Sequence, residues 1–104
     1  MSQKNNSLEL YIAEKFKKID KYARPTRGSG SKNEIGDILT KDFYVECKQV
    51  LTKDNVILRR SVWINFLSKL PITFKTPIVA LENKKREKFI VMKAEDFFSL
   101  LREE

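Results

Sequence analysis

The stretch Ile35-Gly36-Asp37-Ile38-Leu39-Thr40-Lys41-Asp42-Phe43-Tyr44-Val45-Glu46-Cys47-Lys48-Gln49-Val50 decides how this chain is read. Ile35 to Leu39 and Phe43 to Val50 alternate and are rich in strand-forming residues, so they read as two β-strands. Thr40-Lys41-Asp42 lies between them and predicts a hairpin, although no Asn-Gly or Asp-Gly pair is present. Side chains alternate along a strand, which puts Phe43, Val45 and Cys47 on a core face and Glu46 and Lys48 on the other. With Lys41-Asp42 as the turn, Thr40 pairs with Phe43, Leu39 with Tyr44, Ile38 with Val45 and Asp37 with Glu46. Asp37 and Glu46 then face each other with Cβ atoms roughly 4.5–5.5 Å apart.

Two facing carboxylates repel, and each raises the other's pKa. A purely structural sheet avoids that placement, whereas a divalent cation between the acids removes the conflict, and hard oxygen donors suit Mg²⁺. Lys48 follows Glu46 on the same face, roughly 6.6 Å along the strand. An amine there can orient a water or stabilise charge developing on a phosphate. Two acids, one amine and a basic approach surface are what metal-assisted phosphodiester hydrolysis needs.

Outward from this hairpin the chain reads as one domain. Its 104 residues leave no room for a second. Hydrophobic residues make up 41%, with seven Phe, three Tyr and one Trp, enough for a packed core and against disorder. Ser7 is placed to cap a helix from Leu8 to about Lys21, with Leu8, Ile12, Phe16 and Ile19 as its apolar stripe. Arg24 to Ser31 is dense in Pro, Gly and Ser and reads as a loop, in which Gly28 and Gly30 permit close backbone approach to a ligand. Val56-Ile57-Leu58 reads as a short third strand. Ser61 to Leu70 reads as a second helix, with Val62, Trp63, Phe66, Leu67 and Leu70 on one face. Pro71 and Pro77 bracket a connection. Ile78 to Leu81 and Phe89 to Met92 are two further strands around a basic turn, Asn83-Lys84-Lys85-Arg86. Ala94 to Leu101 closes the chain as a helix with Glu95 and Asp96 in its first turn, where acids suit the dipole. The expected fold is α/β, in the order α-β-β-β-α-β-β-α, with a mixed, mainly antiparallel five-stranded sheet flanked by helices.

Composition excludes several functions. There is no His, hence no Ser-His-Asp or Cys-His triad and no His metal ligand. The single Cys gives no disulfide framework and no structural zinc cluster. Cys47 reads as a buried small hydrophobe, and Trp63 as core. No apolar run approaches the roughly 20 residues of a membrane span, and Met1 to Ser7 lacks a signal-peptide core. The cytoplasm is the expected location. The formal net charge is +7 and the pI about 9.6, which points to a polyanionic partner, usually nucleic acid. Ten of the 21 basic and seven of the 14 acidic residues fall within 1–52. The excess therefore belongs to the folded body and not to a tail. Arg24, Arg27 and Lys32 flank the Gly/Ser loop and read as phosphate contacts, as do Lys53, Arg59 and Arg60, with Gln49 and Ser29 as further DNA-binding candidates. Lys84-Lys85-Arg86 reads equally as a contact or a solubilising turn. Ile64 points off its helix's apolar face and is a candidate interface residue.

Gly36-Asp37 followed by Glu46-Cys47-Lys48 resembles the PD-(D/E)XK nuclease motif, with Gly36 where the motif name has Pro. Ala23-Arg24, Gly28-Ser29-Gly30, Gly36-Asp37 and Glu46-Cys47-Lys48 together resemble a run found in archaeal-type and phage Holliday junction resolvases. The resemblance implies a restriction-endonuclease-like fold and a Mg²⁺-dependent DNA endonuclease, with Mn²⁺ substituting, in a prokaryotic or phage-infected cell. It implies Asp37, Glu46 and the backbone carbonyl of Cys47 as metal ligands, Lys48 as the residue assisting the nucleophilic water, and Ser31 or Ser29 near the scissile phosphate. It also implies an acid from the first helix. At 100° per residue Glu9 falls at the edge of the apolar stripe and Glu14 roughly opposite it. Glu9 is thus the expected acid, acting on the metal directly or through a water, while Glu14 faces solvent. A short chain without a separate recognition domain suits four-way junctions, and paired nicks require a homodimer. A restriction-, repair- or homing-type nuclease, a nickase, and a non-catalytic DNA-binding module are the alternatives.

Overall fold

The computed structural model describes residues 6–26, 37–71 and 75–102. The first helix, α1 (Asn6–Lys17), lays Leu8, Ile12 and Ala13 on the sheet. It stops four residues short of the expected Lys21 because Asp20 turns the chain. The Asp20 carboxylate accepts the Tyr22 amide at 2.9 Å and the Lys41 amide at 2.6 Å. These two backbone donors hold its carboxyl below the usual range. Asp20 thereby ties the end of the helix to the β2–β3 turn. Ile19, expected on the apolar stripe, falls beyond the last helical turn and is 81% exposed.

The sheet has five strands in sequential order: β1 (Arg24–Pro25), β2 (Ile38–Leu39), β3 (Phe43–Gln49), β4 (Thr76–Glu82) and β5 (Lys88–Val91). The β3–β4 pair is parallel and the other three pairs are antiparallel. The hairpin register is the expected one, with Ile38 opposite Val45 and Leu39 opposite Tyr44. Thr40 closes the turn, its hydroxyl accepting the Phe43 amide at 2.8 Å and donating to the Phe43 carbonyl at 3.0 Å.

Two expectations are corrected. Val56-Ile57-Leu58 is not a strand; Val56 and Leu58 instead pack as an extended lead-in to α2 (Arg60–Ser68). The missing strand is supplied by Arg24–Pro25, read from sequence as the start of a loop. Its Arg24 pairs with Leu39 and its Pro25 with Ile38. Proline is tolerated there because β1 is an edge strand with no further ladder to donate to. The order of elements is thus the expected one, built from a different set of strands.

Helix α2 crosses over between the parallel strands and covers the sheet face opposite α1. Val45, Cys47, Ile78 and Ala80 point to α1, while Tyr44, Val79 and Leu81 point to α2 and meet Phe66. Trp63 packs against this second cluster and meets Phe66 edge-on. Cys47 is fully buried, and Ile64 is exposed. The last helix, α3 (Ala94–Leu101), has the expected bounds but buries none of its residues. No helix among the described residues is long and apolar enough to cross a membrane.

Candidate functional site

Strand β2 is only two residues long, and Asp37 stands where it ends. The Asp37 amide donates to the Val45 carbonyl at 2.7 Å, and its carbonyl accepts the Thr26 amide at 3.0 Å. Its backbone is thus held from both sides. Beyond this point β3 continues without a β2 partner, which leaves the Cys47 amide unpaired on that edge. The Asp37 carboxylate fills the gap, with Oδ2 accepting the Cys47 amide at 2.7 Å. One carboxylate oxygen is therefore used structurally, and the side chain is fixed against the Glu46-Cys47-Lys48 segment.

The β2–β3 ladder ends at Ile38 opposite Val45, so the expected Asp37–Glu46 pair is not part of it. Glu46 points to the α2 face, where α2 covers Tyr44 but leaves Glu46 and Lys48 part-exposed. Their side chains are 18% and 43% accessible. Lys48 Nζ lies 3.3 Å from Glu46 Oε2. Glu9, in the first turn of α1, is half-buried, whereas Glu14 is exposed.

All three carboxyls are raised, chiefly by burial. Burial raises the Glu9 carboxyl to about 7, with the charges of Asp37 and Glu46 adding to the shift. Burial also raises Asp37, opposed by the Cys47 hydrogen bond and by the charges of Lys48 and Lys69. Burial and the neighbouring Asp37 raise Glu46, against Lys48 and Lys69. Part-buried acids raised in this way, with only partial cationic compensation, favour proton uptake or a cation. Among the described residues no three Asp, Glu, Cys or His side chains form a ready-made metal cage. The donor chemistry fits Mg²⁺, which binds through one or two carboxylates and keeps several waters.

Lys69 went unnoticed in the sequence. It is the C-cap of α2, three residues after the buried Phe66, and its charge reaches both Asp37 and Glu46. The signal available was its position at the end of the helical face led by Phe66. Thr26, which clamps the Asp37 carbonyl, directly follows β1 and carries no sequence signal of its own.

The remaining candidates divide. Arg24 lies on β1 and donates to the Pro25 carbonyl at 3.1 Å. Lys53, Arg59 and Arg60 are exposed. Gln49 is engaged by the protein, its amide donating to Glu82 Oε1 at 2.6 Å and to Ser7 Oγ at 3.3 Å. Arg27, Gly28, Ser29, Gly30, Ser31, Lys32 and Gly36 lie outside the described residues. No family model, no curated protein and no solved structure matches the chain.

Proposed function

We propose that this protein is a Mg²⁺-dependent DNA endonuclease of the restriction-endonuclease-like fold that cuts four-way junctions with paired nicks. One observation carries the reading. At the end of β2 the Asp37 carboxylate is fixed on the Cys47 amide beside Glu46, Lys48 Nζ lies 3.3 Å from Glu46, and the charges of both acids act on Glu9. The mixed sheet with α1 and α2 on opposite faces and the net charge of +7 support it.

Asp37 and Glu46 would hold the cation, with the Cys47 carbonyl as a third donor and Glu9 acting through a water. When bound, Mg²⁺ supplies Lewis acidity for the phosphate and lowers the pKa of water. The chain's own groups do the remainder. Lys48 carries a positive charge beside Glu46, where it orients the attacking water and offsets charge building on the phosphate. Glu9 exchanges a proton near neutral pH in the metal-free protein. The Cys47 amide keeps the Asp37 carboxylate aimed.

The test compares a labelled four-way junction with linear duplex of the same sequences in Mg²⁺, with EDTA and Glu46→Ala as controls. Symmetric nicks confined to the junction and lost in both controls are expected. Equal cleavage of both substrates would keep the site but move the function to a general or sequence-directed nuclease. Salt-dependent binding with no cleavage in any divalent metal would make the protein a DNA-binding module.

A further inference from the structure

Helix α3 poses a problem that the proposed site leaves unanswered. Its sequence, Ala-Glu-Asp-Phe-Phe-Ser-Leu-Leu, has four large apolar side chains in eight residues, yet none of its residues is buried. An eight-residue helix is marginal in water without tertiary packing. Phe98 is 53% and Leu101 66% exposed. Phe89 and Ile90 on β5, the open edge strand next to α3, are also exposed. Phe97 and Leu100 line one side of an apolar groove of about 540 Å³ whose opposite wall is α1, including Tyr11 and Phe16. Phe98 and Leu101 do not line that groove.

We infer that this face, made of α3, β5 and the groove beside α1, seats a second copy of the same chain. A two-fold interface uses one patch on both subunits, so the patch must be complementary to itself. This one carries a groove and, beside it, two projecting apolar side chains suited to fill the groove of a partner.

The area agrees. Ile90, which pairs with Ala80 and so shares the α1 face, and Phe97, Phe98, Leu100 and Leu101 are each 41–66% exposed. At roughly 100 Å² apiece they offer about 500 Å² of apolar surface. A stable interface takes about 800 Å² per partner, of which a little over half is apolar. The patch therefore matches one interface without surplus.

The charges on the face select the occupant. Lys15 and Lys88 stand on the groove wall, and Glu95 and Asp96 occupy the first turn of α3. Both signs on one patch suit pairing with itself and oppose docking on an anionic lipid surface. They also reduce the repulsion between two copies that each carry +7. This inference locates the pairing that the nuclease reading requires, but it stands on the apolar face and not on the active site. The sequence candidate for an interface, Ile64, lies on α2 and is not part of this face.

The experiment measures the mass of the full chain by light scattering from about 1 to 100 μM, with cleavage assayed in parallel. Wild type is expected at twice 12.2 kDa, and Leu101→Glu or Phe98→Glu at 12.2 kDa with an unchanged far-UV spectrum. Hydrogen exchange on wild type covers the case in which the variants do not fold. Amides of 89–101 should slow as protein concentration rises. A monomeric wild type, a dimer unaffected by both variants, or exchange of 89–101 independent of concentration would overturn the inference. So would a monomer that binds phospholipid vesicles through this face. A dimer that both variants leave intact and that still cuts junctions removes the inference alone, and a dimer that cuts nothing removes the nuclease reading alone.

Discussion

The carboxylate of Asp37 accepts the backbone amide of Cys47 at 2.7 Å, taking the place of a ladder bond that β2 is too short to make. A side chain proposed as a metal ligand is therefore also a structural acceptor for a fully buried residue. Asp37→Ala leaves that amide bare and should cost about 1–3 kcal/mol, the usual penalty for an unsatisfied buried donor. Asp37→Asn keeps an oxygen to accept the bond while removing the charge. It should abolish cleavage yet unfold no earlier than wild type in metal-free buffer at pH 7.5. Chemical denaturation of the three proteins checks this, and equal losses in both variants would contradict it.

The pH dependence of stability follows from Glu9. Its carboxyl is raised from 4.5 to about 7 in the folded protein, so the native state holds a proton that the unfolded state has released across that window. Its favourable contribution is complete below pH 4.5 and is lost as pH rises toward and through 7. Asp37 and Glu46 shift in the same direction. The metal-free protein should therefore be more stable at pH 5.5 than at 7.5, and Glu9→Gln should flatten the slope. Thermal melts in EDTA across this range read the effect, and stability rising from 5.5 to 7.5 would refute it.

Mg²⁺ should reverse that loss. A cation bound by the native state alone stabilises it by mass action, about 2.7 kcal/mol at a hundredfold excess over Kd. Adding Mg²⁺ at pH 7.5 should raise the melting temperature of wild type, with little effect on Glu46→Ala. Calorimetric melts with and without the metal decide the matter.

Lys48 separates chemistry from binding. Lys48→Ala removes the ammonium 3.3 Å from Glu46 but leaves the acids in place. Single-turnover cleavage should fall by roughly 10²–10⁴, the usual range for a positioned proton-transfer group, while the Mg²⁺-induced rise in melting temperature persists. Loss of both together would make Lys48 a structural residue.

Glu82 is a buried acid outside the proposed site. Burial pushes its carboxyl up, but hydrogen bonds from Gln49 and Lys88 and the charges of Lys88 and Arg86 win and hold it below the ordinary range. It anchors the β4–β5 turn, with Arg86 Nε at 3.0 Å and Lys88 Nζ at 3.2 Å. Arg86 takes a left-handed backbone, φ 64°, uncommon for a residue with a side chain. Glu82→Ala should destabilise by about 1–3 kcal/mol, since it removes the acceptor of Gln49 and the buried counter-charge of Arg86 and Lys88. Denaturant midpoints at pH 7 measure it, and a change below 0.5 kcal/mol would show that the turn holds itself.

Much of the hairpin was legible because its information is local. Period-two alternation set which residues of β3 share a face, and the three residues Thr40 to Asp42 left one register that kept Ile38 and Val45 together. Glu9 was separable from Glu14 because both sit on one helix and 100° per residue ranks them. The strand Arg24–Pro25 was illegible because two residues carry no periodicity, and its Pro reads as a breaker. Val56 to Leu58 misled for the opposite reason: three apolar residues resemble a strand, but here they feed the crossover helix and find no ladder.

The sequence by itself determined the class of fold, the facing of Ile38 and Val45, the shared face of Glu46 and Lys48 and the basic balance of the chain. These depend on alternation, helical pitch and composition, which act over a few residues or over the whole count. Only the tertiary structure decided that β3 and β4 run parallel, that the Cys47 amide clamps Asp37, that Lys69 arrives from the end of α2, and that α3 is left uncovered. Each depends on how elements far apart in the chain dock, and that is set by burial of both sheet faces and by which backbone groups remain unpaired when a strand ends early.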